Sequence, residues 1–358
     1  MDEKRLARKR QQWVDRTMAV CGLEEAETIR LLSTERRPSF RVNSLRAPDA
    51  KVVLRQLIEL GWRGEALGAG FTIEEGYKAV RDSEFAKEGG IYIQNAASWL
   101  PVQALDPRPS ERILDMCAAP GGKAAHIAAL TNNQAELWVN DNSRARLHKM
   151  RANFARLGVA PAEETMYDAT QLARKLMASH PELTLLPHPG RSRRILLEQK
   201  SASFYRQNGS ENSSGMFDKI LLDAPCSGEG LMNYNSDKDF STWSIAHVKR
   251  LQQLQKKLLV QAWQLLKPGG TLVYSTCTMA PEENEAVVDY LLRHNFDAQV
   301  KPIEAKMPNA VKPVTTWQSK NYSLELEKAL RLLPSEHVEA FFVCRIDKVG
   351  KEEYKLTS

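Results

Sequence analysis

Several large protein classes are excluded by patterns this chain does not have. No apolar run approaches the length of a membrane-spanning helix. Residues 1–10 (MDEKRLARKR) are charged and have no apolar core, which argues against a secretory signal. The five cysteines (Cys21, Cys117, Cys226, Cys277, Cys344) are scattered, odd in number and never in a C-x-x-C pair. Neither a disulfide framework nor a metal site is therefore expected, and a reducing, cytoplasmic setting fits best. The dinucleotide fingerprint GxGxxG is missing. The one GGK triplet lacks the opening glycine of a P-loop, and Ala124 stands where Ser or Thr would follow the lysine. These absences disfavour a nicotinamide dehydrogenase and an NTPase. There is no internal repeat.

What is present is a chain of 358 residues, 42% of them hydrophobic, long enough for about two domains. The net charge is +6 and the pI about 9.0, a modest pointer to a polyanionic partner that an ordinary solvated basic surface would also explain. Two clusters sharpen the pointer. One is Lys4, Arg5, Arg8, Lys9 and Arg10; the other is Arg191, Arg193, Arg194, Lys200 and Arg206, with only Glu198 among them.

The hydrophobic pattern divides the chain into three parts, 1–37, 38–98 and 99–350. Residues 3–33 read as helical, and Pro38 ends that stretch. A strand at 39–43 (SFRVN), a helix at 48–60 stopped by Gly61, and short strands near 62–67 and 71–73 read as a small α+β module. From residue 112 strands and helices alternate: strands at 112–116, 136–140, near 164–167, 219–222 and 271–274, and helices at 123–130, 143–157, 245–266 and 282–293. That rhythm predicts a parallel sheet covered on both faces, closed by a last strand at 340–346. Residues 179–215, rich in Pro, Gly, Ser and Asn, read as a long insertion.

Three places on this sheet carry chemistry. The first is the turn in 113–123 (ILDMCAAPGGK), where a strand runs into a helix through Cys117, Ala118, Ala119, Pro120, Gly121, Gly122 and Lys123. Open α/β sheets bind nucleotide-like ligands outside the carboxyl ends of their strands, and small residues there let backbone approach a ligand. Asp141, after the next strand, is placed for ribose hydroxyls, and Asp168, after the third, for an adenine amino group. Single aspartates in such places also serve as caps and turn formers.

The other two are Asp223-Ala-Pro-Cys226-Ser-Gly-Glu-Gly230 and Ser275-Thr-Cys277-Thr, each following a strand on that same edge. A lone buried cysteine is commonly a small hydrophobe, but two at the ligand edge suggest nucleophilic chemistry. Carbon 5 of cytosine is a poor nucleophile. A thiolate that adds to carbon 6 makes the ring enamine-like, so that carbon 5 can attack a sulfonium methyl. An acid near N3 or the exocyclic amino group would stabilise the ring, and Asp223 is the candidate, protonated or not. The residues alone leave open which cysteine attacks.

In combination, CAAPGGK (117–123), DAPCSGEG (223–230), LLKPGG (265–270) and STCTMAPEENE (275–285) resemble the Sun/Fmu family of RNA cytosine-5 methyltransferases, the RsmB/Nop/Sun type. The likeness spans roughly residues 41–345. Asp141 and Arg146 match the family's second motif, QNAAS (94–98) the entry to its catalytic domain, and Arg41-Val-Asn43 the RVN strand of its preceding RNA-binding module. The resemblance implies a Rossmann-like methyltransferase sheet preceded by an RRM-like module and the N-terminal helical segment. It implies S-adenosyl-L-methionine as cofactor, rRNA or tRNA as partner and a monomer. It assigns Cys277 as the nucleophile and Cys226 to product release. It places CAAPGGK, Asp141, Arg146, Asp168 and Asp223 around the cofactor, with Lys123 on the cofactor or on the active-site carboxylate. Asn95 stands where the family often has an acid. The Arg usual after Gly230, often with another basic residue, is absent from LMNYNSDKDFSTW. A non-catalytic RNA-binding protein would not need both cysteines and Asp223. A DNA cytosine methyltransferase is disfavoured by the RVN strand and the second cysteine. A small-molecule methyltransferase would leave the basic clusters unexplained.

Overall fold

The computed structural model describes residues 3–47, 49–183, 215–304, 307 and 309–350. The basic cluster Arg191, Arg193, Arg194, Lys200 and Arg206, and most of the insertion expected at 179–215, lie outside the described residues.

The N-terminal stretch forms two helices, α1 (Glu3–Cys21) and α2 (Glu25–Ser33), where a single helical run was expected. Gly22, at φ +67°, takes the left-handed conformation that ends α1. Trp13, Val14 and Leu32 pack on Phe240, Trp243, Met279 and Ala340 of the catalytic region. The segment is therefore bound to the catalytic region through a shared core.

The small module runs β1 (Ser39–Val42), α3 (Ala50–Glu59), β2 (Ala66–Leu67), β3 (Gly70–Thr72), α4 (Tyr77–Asp82), α5 (Glu84–Lys87) and β4 (Ile91–Ile93). Helix α3 starts two residues after Pro48, because Asp49 accepts from the backbone N–H groups of Lys51 and Val52. The sheet order is β2-β3-β1-β4, all antiparallel, which is the split β-α-β topology. Strand alternation divides the RVN segment between two faces. Phe40 enters the module's own core with Val53, Leu57, Trp62 and Ile91, and Val42 packs against that core. Arg41 and Asn43, each 1% exposed, turn to the catalytic domain.

That domain begins with α6 (Leu100–Leu105) and then alternates β5 (Arg112–Asp115), α7 (Gly122–Leu130), β6 (Glu136–Asn140), α8 (Arg144–Leu157), β7 (Glu163–Thr165), α9 (Leu172–Ser179) and β8 (Phe217–Asp223). After β8 come α10 (Asp237–Thr242), α11 (Ile245–Leu265), β9 (Leu266–Thr276), α12 (Glu285–His294), β10 (Ala298–Lys301), β11 (Ala310–Val311), a β12–β13 hairpin (Thr316–Trp317, Lys320–Asn321), β14 (Leu330–Leu332) and β15 (Phe341–Lys348). The main sheet is ordered β11-β14-β15-β9-β8-β5-β6-β7. Strands β7, β6, β5, β8 and β9 are parallel; β15 pairs antiparallel with β9. The order reverses between β5 and β8, so a crevice opens at their carboxyl ends.

Both faces are covered, as the alternation of side chains requires. Ile220, Leu222, Leu272, Tyr274 and Phe342 pack with Leu258, Leu259 and Ala262 of α11. The alternate residues Leu221, Val273, Phe341 and Val343 pack with Val102 and Leu105 of α6 and Ala124 and Ile127 of α7. Each fully buried Leu or Phe of this kind contributes on the order of 1.5–3 kcal/mol relative to exposure. The helix expected at 282–293 begins instead at Glu285. The carboxylates of Glu282, Glu283 and Glu285 are buried and drawn to separate partners, which holds residues 281–284 in a turn.

Candidate active site

The three segments singled out in the sequence meet at the carboxyl ends of β5, β8 and β9. Asp223 ends β8. Its Oδ2 accepts from Lys123 Nζ at 2.7 Å and its Oδ1 from the Ser275 hydroxyl at 2.7 Å. Two donors on two oxygens is the arrangement of a carboxylate serving as acceptor. Of the two partners expected for Lys123, the structure shows the carboxylate.

Cys226 lies three residues past β8 and Cys277 directly after β9. Their sulfurs are 3.2 Å apart. The hydrogen bond to Cys277, and then burial, push the Cys226 thiol well above the ordinary thiol range. The two sulfurs share one hydrogen bond, which either thiol can donate. Gly230 makes the close approach of the two loops feasible. Its N–H donates to the Cys277 carbonyl at 2.9 Å. A Cβ at Gly230 would lie 2.2 Å from the Ala340 oxygen and 2.8 Å from the Cys277 oxygen.

A buried polar layer supports the cysteine loops. Glu283 Oε2 accepts from the Ser227 N–H at 3.0 Å and from Gln255 Nε2 at 2.8 Å, and Gln255 also donates to the Pro225 carbonyl. Burial pushes Glu283 up to about 7. Glu229 accepts from Trp243 Nε1, and the Ser227 and Thr278 hydroxyls bond to each other. None of these supports stood out in the sequence, although the run of acids after the second cysteine was a usable signal.

The turn between β5 and α7 departs from expectation in one respect. The space left by Gly121 and Gly122 is filled by protein. A Cβ at Gly121 would meet Phe154 and Met150; one at Gly122 would lie 2.9 Å from Tyr92 Cε1 and 3.0 Å from Gln94 Nε2. Arg41 donates to the Gly122 carbonyl at 3.3 Å, with its guanidinium over the Tyr92 ring. Asn43 donates to the carbonyls of Gly89 and Leu157. The RVN strand is thus a clamp between the module and the turn. We expect Gly122→Ala to lower stability by about 1–3 kcal/mol, the usual cost of overpacking. Tyr92→Leu in the same chain should recover part of that in urea unfolding. No recovery would show that the space serves something other than the module.

The aspartates after successive strands fall in line. Asp141 is 2% exposed; its Oδ1 accepts from the Ser143 N–H. Arg146 approaches Asp141 Oδ2 to 3.0 Å without hydrogen-bond geometry and donates to the Ala119 carbonyl. Asp168 is exposed and caps the turn after β7, its Oδ1 accepting from Thr170 N and Oγ1, so it fills the cap role. Those two hydrogen bonds hold its carboxyl below the usual range. Cys117 is partly buried, and burial raises its thiol. The sequence reading missed Asp115. It is buried at the end of β5, both side-chain oxygens lack a hydrogen-bond partner, and burial followed by the charge of Asp223 raises it to about 7. Glu339, facing Lys123 and Arg36, is also pushed up to about 7 by burial. Among the described residues no cluster of His, Cys, Asp or Glu could hold a metal ion. No helix among them is long and apolar enough to cross a membrane.

Known proteins share this fold. A crystal structure described as a methyltransferase homolog protein from Pyrococcus horikoshii superposes with a TM-score of 0.74 at 27% identity, over 98% of this chain and 100% of that one. The structure of NSun6 from the same organism with SFG gives a TM-score of 0.69 at 20% identity, which shows the fold alone. The class is therefore that of the α/β methyltransferases. Residues 102–208 and 191–347 match the 16S rRNA methyltransferase RsmB/F family, and the chain belongs to it. The tRNA (cytosine(49)-C(5))-methyltransferase of Pyrococcus abyssi is 36% identical over 87% of this chain and 88% of its own length. Ribosomal RNA small subunit methyltransferase F of Serratia proteamaculans is 33% identical over 89% of this chain and 60% of that protein. The 25S rRNA (cytosine-C(5))-methyltransferase nop2 of Schizosaccharomyces pombe is 30% identical, and the chain spans 46% of its length.

Proposed function

We propose that the protein methylates carbon 5 of cytosine in structured rRNA or tRNA, with S-adenosyl-L-methionine as methyl donor and a covalent cysteine adduct at carbon 6. The observation that carries this reading is the Cys226–Cys277 contact of 3.2 Å beside the Lys123–Asp223 pair. We further propose that it acts as a cytoplasmic monomer.

The residues present suit the cofactor. Cys117, Ala118, Ala119, Pro120, Gly121, Gly122 and Lys123 with Asp141, Arg146, Asp168 and Asp223 would hold it. Asp115 adds buried carboxyl oxygens without partners, fit for an ammonium or hydroxyl donor. When bound, S-adenosylmethionine supplies an electrophilic methyl group.

The chain's own residues do the rest. A lone pair of the Cys277 thiolate forms the bond to carbon 6, and the pair of the broken C5=C6 π bond shifts to carbon 5. Asp223, as an acceptor, holds the exocyclic amino group, with Lys123 fixing its orientation. Once the Cys277 sulfur is a thioether, the hydrogen bond and charge that raised Cys226 are gone. Cys226 can then ionise and take the proton from carbon 5 after that carbon has gained its methyl. The electron pair of the broken C–H bond re-forms the ring double bond and expels Cys277. Incubation of the protein with labelled S-adenosylmethionine and unmethylated tRNA or rRNA, followed by bisulfite sequencing, should show new 5-methylcytosine. Label fixed elsewhere than carbon 5 of cytosine would overturn the reading.

A further inference from the structure

Arg36 sits at the rim of the cysteine site and forms no ion pair among the described residues. It precedes β1, in the link between α2 and the small module. That link is stitched to the loop after Gly230: the Tyr234 N–H donates to the Leu32 carbonyl at 3.0 Å, and Asn233 Nδ2 to the Ser33 and Thr34 carbonyls. Arg36 donates to the Met232 carbonyl at 3.5 Å, a long bond. Its Nε is buried with no partner, and it forms no ion pair among the described residues. The neighbouring Arg37, by contrast, pairs with Glu74 and Glu336. Burial lowers Arg36 from its ordinary value, and the charges acting on it are Glu339, Asp239 and Cys277.

We propose that Arg36 binds a phosphate of the RNA strand that brings its cytosine to Cys277. This rests on the function proposed above and adds a contact to it. A guanidinium offers a fork of donors that matches phosphate oxygens, and a partly desolvated cation without a counter-ion gains most from one. The surrounding acids do not fill that role. Neither forms an ion pair with Arg36 among the described residues: Asp239 accepts from the Asn233 N–H, and burial pushes Glu339 up to about 7. The loop itself offers no alternative, since residues 227–237 (SGEGLMNYNSD) contain no Lys or Arg. The other cation at the site, Lys123, is committed to Asp223. The N-terminal segment thereby supplies a cation to a loop that has none.

The test is binding of an unmodified tRNA transcript to the full chain across a salt series. Arg36→Ala is expected to weaken binding about tenfold and to flatten the log–log salt slope by about 0.7, one single-strand phosphate. Arg36→Lys should keep most of both. Arg37→Ala, which breaks only exposed pairs, should change neither. An Arg36→Ala slope equal to that of the wild type would overturn the proposal, as would a loss of affinity with an unchanged slope, which marks a purely structural role. Because binding is read without turnover, absence of methyl transfer by the wild type would sink the proposed function and not this contact.

Discussion

A Cys226→Ala variant incubated with target RNA and S-adenosylmethionine should accumulate a protein–RNA species that survives denaturing electrophoresis, and a Cys277→Ala variant should form none. The rate of methyl transfer by Cys277→Ala should fall at least about a thousandfold, since removing an attacking group removes the covalent route. The expectation comes from the asymmetry of the sulfur pair. At 3.2 Å the two thiols cannot both ionise without strong repulsion, and the hydrogen bond to Cys277 pushes the Cys226 thiol upward. We propose Cys277 as the sulfur that attacks. Cys226 becomes a base only after Cys277 has been consumed, and without it the elimination stalls. An adduct formed by Cys277→Ala would reverse the roles. Equal loss of adduct in both variants would mean that the pair acts as one unit.

Arg331→Met should lower stability by about 3–5 kcal/mol, with a fall in Tm on the order of 10 °C. Arg331 is 1% exposed and Glu285 0% by side chain, and their bidentate contact at 2.7 Å leaves no water to replace either partner. Losing the arginine strands a carboxylate in the core. Arg331 Nη1 also donates to the Met279 carbonyl, two residues beyond Cys277, and Glu285 accepts from the Val314 N–H. The variant should thus loosen the Cys277 loop as well as the fold. The double change Arg331→Met with Glu285→Leu should regain much of the loss, because an apolar pair of similar volume can be as stable as a buried ion pair. Denaturant unfolding of the three variants decides. A double variant as unstable as the single one would show that the cost lies in packing and not in the stranded charge.

The parallel sheet was legible in the sequence because its strands are short apolar runs punctuated by helices, and a strand's carboxyl end is also its functional edge. The sequence alone thus puts Asp223, Cys226, Cys277 and the 117–123 turn on one rim. What was not legible depends on contacts far apart in the chain. Asp115 reads as an ordinary strand end, and only its burial with empty oxygens marks it. The glycines of the turn read as room for a ligand, yet the side chains filling that room come from Tyr92, Gln94, Met150 and Phe154. Glu282, Glu283 and Glu285 look like the charged start of a helix. Their partners, Arg16, Ser227 and Arg331, lie tens to hundreds of residues away, and no local periodicity encodes that.

The clamp formed by Arg41, Asn43 and Tyr92 bears on how this protein can be divided. A catalytic domain cut free after residue 98 would keep every residue of the reacting centre. It would also have an open notch at Gly122 and carbonyls at Gly122 and Leu157 stripped of their side-chain donors. Exchanging the module for that of a relative would therefore disturb the 117–123 turn unless those three contacts travelled with it. The boundary between the small module and the catalytic domain runs through the interior of the protein, and the linker at 94–99 does not mark it.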